Sequence, residues 1–114
     1  MIRYASVIPF ILLANATFAG PISKFDDKTP DFEGTSNIAL FDLERCLTDL
    51  DGYVVPVVLR QPDRPNEINL IWVVSGSVSF GRVHLMKSDA GVAVRRWGLG
   101  NKQARSCIET GRPR

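Results

Sequence analysis

His84 is the one histidine in the chain, so any acid–base chemistry near neutral pH would centre on its imidazole and a neighbouring carboxylate. Asp89 lies close in sequence, but it sits in a Ser88-Asp89-Ala90-Gly91 stretch that reads as a turn. Ser75, Ser77 and Ser79 surround another turn, where serine is ordinary turn chemistry rather than a nucleophile. A hydrolase built on His84 is therefore one expectation, and no recognisable constellation supports it. The two cysteines, Cys46 and Cys107, form no Cys-x-x-Cys pair, and with a single histidine they give no ligand set for a metal. Gly98-Leu99-Gly100 precedes a helical stretch but is too short to signal nucleotide binding, so no cofactor is expected.

Arg82, Arg95 and Trp97 suggest different chemistry. A guanidinium over an indole, with Asn69 and His84 beside it, would make a cluster of donors suited to an anionic partner. Whether these five residues meet depends on a β-hairpin. Ile68 to Val74 is β-branched and aromatic, Ser75-Gly76-Ser77 interrupts it, and an alternating pattern resumes from Val78 to Met86. A type II′ turn at Gly76-Ser77 would pair Val74 with Ser79, Trp72 with Gly81, Leu70 with Val83 and Ile68 with Leu85. Ile68, Leu70, Trp72, Val74, Val83, Leu85 and Val94 then share one apolar face. The opposite face receives Asn69 beside His84, Ile71 beside Arg82 and Val73 beside Phe80. If the next turn closes on Lys87 and Val92, Arg95 falls next to His84 and Trp97 next to Arg82. The plainer alternative is a half-exposed antiparallel sheet that simply shows such residues to water.

Around the hairpin the elements follow in order. Ala39, Leu40, Leu43, Cys46, Leu47 and Leu50 recur at helical spacing, with Thr35, Ser36 or Asn37 as N-cap and Gly52 as terminator. Val54 to Leu59 is extended and contains Pro56, which cannot donate to a ladder and so places this strand at a sheet edge. Gln61 to Glu67, with Pro62 and Pro65, reads as a stiff loop. Val92 to Trp97 is the last strand, and Asn101 can cap a short helix running to about Glu109 in which Ala104, Cys107 and Ile108 share a face. The expected fold is α+β: a four-stranded antiparallel meander with an N-terminal helix and a short C-terminal helix packed on one face, clamped by one disulfide.

The ends of the chain bear on its compartment. Residues 1–19 resemble a secretory signal peptide: Met1-Ile2-Arg3 is basic, Val7 to Ala14 is apolar, and small residues offer cleavage after Ala16 or Ala19. The apolar run is too short for a confident membrane span, which needs about 20 residues, although an uncleaved anchor is the alternative. Residues 20–35 form a flexible or loosely docked acidic arm, 36–110 a single domain and 111–114 a tail. Export to an oxidising periplasmic or extracellular space favours a Cys46–Cys107 disulfide over two separate buried thiols. With 14 Lys plus Arg against 12 Asp plus Glu, the charge is too even to imply a nucleic-acid partner. Acidic residues nevertheless crowd the arm and basic ones the other end, either as solvated termini or because the arm folds back. The leading functional expectation is a small exported, non-enzymatic domain that binds or inhibits an envelope protein or an anionic envelope polymer, through the sheet face or the Gln61 to Glu67 loop. A carrier of an apolar ligand, lined by Leu43, Leu47, Trp72 and Val83, is the second.

Overall fold

The computed structural model describes residues 20–75 and 78–113. The segment read as a signal peptide and the Gly76-Ser77 turn lie outside them. Five strands form one antiparallel sheet: β1 (Phe32–Ser36), β2 (Val57–Gln61), β3 (Arg64–Ser75), β4 (Val78–Ser88) and β5 (Gly91–Trp97), in the order β1-β5-β4-β3-β2. Among the described residues two α-helices, α1 (Leu40–Thr48) and α2 (Lys102–Thr110), complete the α+β architecture. Leu43 and Leu47 of α1 and Ala104 and Cys107 of α2 pack in one core cluster with Leu70, Trp72, Val83, Leu85 and Val94 of the sheet. Cys46 and Cys107 are bonded, with their Cα atoms 5.7 Å apart, and join the two helices.

The strand count is five rather than four because β1 comes from the segment read as an arm. Glu33 pairs with Arg95 and Gly34 with Val94, so this segment covers the edge that β5 would otherwise present to solvent. Gly34 permits the close fit, since a Cβ there would lie 3.0 Å from the Phe32 ring. Upstream, a short 3₁₀ turn (Ser23–Phe25) docks on the sheet through Phe25, which is buried. Asp31 ties this segment to the sheet, its amide donating to the Arg96 carbonyl and its carboxylate accepting from the Gly98 amide, both at 2.7 Å.

The central register is as expected from Ile68↔Leu85 to Trp72↔Gly81, but it shifts on each side of Val73, which pairs with Ser79. Ser75 then faces Val78, so the two irregularities compensate. The expected Val74↔Ser79 and Val73↔Phe80 pairs are lost, Ser79 is buried, and Val74 leaves the core to become 64% exposed. The helix α1 begins later than expected and has no side-chain cap. Ser36 belongs to β1, where its hydroxyl donates to the Ile108 carbonyl at 2.6 Å and accepts from the Ile38 amide at 3.2 Å. Gln61 to Glu67 is not a loop: Gln61 pairs with Arg64 across Pro62-Asp63, and β3 starts there. Pro56 precedes β2, which is an edge strand.

Trp72 stands opposite Gly81, yet the space over that glycine belongs to Leu99. A Cβ on Gly81 would lie 2.9 Å from Leu99 Cγ. Leu99 itself adopts a positive φ of 54°, a conformation it holds while its side chain is buried. Gly98 before it has φ 73°, and a Cβ there would approach the Phe80 carbonyl to 2.7 Å. Gly98→Ala is expected to lower the unfolding free energy by roughly 1–3 kcal/mol, measured by urea denaturation. An unchanged midpoint would show that this bend relaxes without cost.

Candidate sheet-face site

The β3–β4 and β4–β5 registers set two rows across the non-helical face of the sheet. Asn69, His84 and Arg95 form one, and Ile71, Arg82 and Trp97 the next. All five residues singled out from the sequence therefore lie together. Arg82 and Arg95 both stack on Trp97, each guanidinium carbon 5.1 Å from its ring centroid. Arg82 Nε donates to Asn69 Oδ1 at 3.0 Å, which aligns the guanidinium.

This face is covered rather than open. Arg82 Nη1 donates to the Ile22 carbonyl at 3.1 Å and to Asp26 Oδ1 at 2.5 Å. Trp97 Nε1 donates to the Lys28 carbonyl at 2.8 Å, and the Phe25 ring lies 6.2 Å from the Trp97 ring. Ser79 Oγ donates to the Pro21 carbonyl at 3.0 Å. Asn69 and Trp97 are consequently buried, and Arg82 nearly so. Arg95 retains more access: its side chain is 43% exposed, and its Nε lies 3.4 Å from Glu33 Oε2 without the alignment of a hydrogen bond. The acidic segment folds back on the sheet, where Asp26 meets Arg82 and Glu33 lies beside Arg95, among the described residues the one member of the basic C-terminal set with which it forms an ion pair.

His84 is partnered by Glu67, whose Oε1 lies 2.7 Å from Nε2. Asp89 is exposed at the β4–β5 turn. Glu67 is not legible as a partner from the sequence, because Pro62 and Pro65 make Gln61 to Glu67 read as a loop. Extending the same hairpin register by one residue puts it opposite Met86 and hence diagonal to His84. Ser79 donates to Pro21, and Ser75 stands at the end of β3 on the exposed side. Among the described residues no group of three or more His, Cys, Asp or Glu is placed to hold a metal. No helix among them is long and apolar enough to cross a membrane. Leu43, Leu47, Trp72 and Val83, named as the lining of a ligand cleft, are each wholly buried in the core cluster.

The arrangement defines a class: a disulfide-linked α+β unit with both helices on one face of a five-stranded antiparallel sheet and an N-terminal segment laid on the other. No protein-family model matches the chain, and no curated protein or solved structure matches it.

Proposed function

We propose that this is a small, exported, non-catalytic binding domain that takes an anionic group of an envelope protein or envelope polymer on the Arg82, Trp97 and Arg95 face. The observation that carries this reading is the pair of guanidiniums stacked on one indole, with a carboxylate, that of Asp26, already seated on one of them. Stacking holds each guanidinium in place, and charge-assisted bonds to carboxylate are the stronger kind. Because Arg82 already donates to Asn69, Ile22 and Asp26, an incoming anion takes the place of the Asp26 carboxylate. The disulfide is consistent with an oxidising extracellular compartment.

Fluorescence anisotropy with labelled acidic probes, a glutamate oligomer and an acidic peptide, tests this on the oxidised protein. Saturable binding that weakens as salt rises is expected, together with a loss of about tenfold or more in an Arg82→Gln, Arg95→Gln variant, since each charge-assisted contact contributes about 1.5–3 kcal/mol. Equal affinity of variant and wild type for every probe would remove the face from consideration. The triple replacement Arg82→Ala, Arg95→Ala, Trp97→Ala is a poorer probe, because Trp97 is buried and the variant would report stability as well as binding.

A further inference from the structure

Resting on that assignment of the face, we propose that residues 20–31 are a displaceable built-in ligand, and that the partner they stand in for is an acidic peptide segment presenting an aromatic side chain next to a carboxylate. Besides the tether at Asp31 and the Lys24 bond to the Ser79 carbonyl, the segment's contacts to the side chains of Ser79, Arg82 and Trp97 divide into two kinds. Three are to main-chain carbonyls, of Pro21, Ile22 and Lys28, which any peptide supplies. The two that depend on side-chain type and reach Arg82 or Trp97 are adjacent in sequence: Phe25 against Trp97 and Asp26 on Arg82. An aromatic ring followed by a carboxylate is thus what the face selects.

The segment is also a compromised ligand. It brings Lys24 and Lys28 to 5.4 and 5.5 Å from the Phe25 ring, beside a face that already holds two arginines over Trp97. Lys24 finds the Ser79 carbonyl, but against Asp26, Asp27 and Asp31 the two lysines cancel most of the segment's negative charge. A partner with acidic residues at those two places gains attraction that the segment lacks. Phe25 is its single buried apolar anchor, and Asp26 is 58% exposed. Few buried contacts and solvent-bordering polar ones mark a segment that opens locally, without unfolding the sheet. Opening leaves Arg95, already half exposed, as the first point of contact.

The test uses the full oxidised chain and three labelled decapeptide probes: residues 21–30 carrying Lys24→Glu and Lys28→Glu, the same peptide with Phe25→Ala, and decaglutamate. The doubly loosened protein Phe25→Ala, Asp26→Asn is expected to bind the first probe about tenfold or more tightly than wild type, because the binding-competent open form is more populated. It should bind the Phe25→Ala probe at least tenfold more weakly than the first. The single variant Asp26→Asn, the gentler perturbation, should shift affinity in the same direction by less. Equal affinity of wild type and both variants for the first probe would overturn the built-in ligand. Decaglutamate binding as tightly as the aromatic probe would overturn the peptide partner and leave an anionic polymer, with the proposed function intact. Binding of no probe by any of the proteins, while core amides of β3 and β4 stay protected from exchange, would remove the proposed function as well.

Discussion

Replacing Cys46 and Cys107 together by serine is expected to cost about 4 kcal/mol of unfolding free energy and to lower the melting temperature by more than about 15 °C. The two residues are 61 apart in sequence, so the bond closes a loop that spans β2 to β5 and restricts the unfolded chain accordingly. A domain of this size has about 5–15 kcal/mol in all, so the variant retains little reserve. In the folded state the bond joins α2 to α1. Without it α2 keeps Ala104 and Ile108 against the core and the Ser36 bond to the Ile108 carbonyl. Amide exchange should therefore quicken first in α2 and only later in β3 and β4. Urea titration of oxidised wild type and the double serine variant measures the difference. Coincident curves would mean that the sheet and helices hold without the bond.

Trp72→Ala is expected to destabilise by about 3–5 kcal/mol, the range for removing a fully buried large side chain. The indole is wholly buried in the core cluster with Leu43, Leu47 and Val83. Its cross-strand partner is Gly81, which has no side chain to move into the void, and Leu99, whose side chain lies over that glycine, is held at an unfavourable φ. The site therefore collapses poorly. Trp72→Phe provides the contrast. The Trp72 Nε1–H is buried without a hydrogen-bond partner, so phenylalanine removes an unpaired donor along with part of the ring and should cost less than half as much as alanine. Denaturant midpoints of the two variants check the order, and equal losses would show that packing volume alone sets the cost.

Several features of the fold were legible because the rules behind them act over a few residues or across one strand pair. The alternation on either side of Gly76-Ser77 specified which residues face each other from Ile68 to Trp72, and the Ser88 to Gly91 turn specified Arg95 beside His84. Asn101 accepts from the Ala104 amide at 2.9 Å, as an N-cap should, whereas Gly111, which by sequence falls in the tail, is the left-handed C-cap of α2, with a φ of 77°. The five residues of the candidate site followed from the same registers. Val74 escaped this logic, because compensating register shifts are not written in a hydrophobic pattern that continues unbroken through Val73 and Val74. Glu67 escaped it because two prolines made a hairpin tip look like a loop.

The sheet's central register, the helix α2 and the pairing of two cysteines are readable from residue types and spacing. The strand β2 is an edge strand as expected, although Pro56, the reason for expecting it, lies just outside the strand. The register and the helix rest on period-two alternation and capping, which are local; the cysteine pairing rests on two cysteines in a small chain expected to be exported. That residues 20–36 add a fifth strand and close over the Arg82 and Trp97 face follows from three-dimensional packing alone. That segment is rich in charge and poor in apolar residues, which by composition reads as unfolded. Its order comes from partners 56 to 69 positions away, among them Ser79, Arg82 and Trp97, and no pattern within the segment encodes their presence.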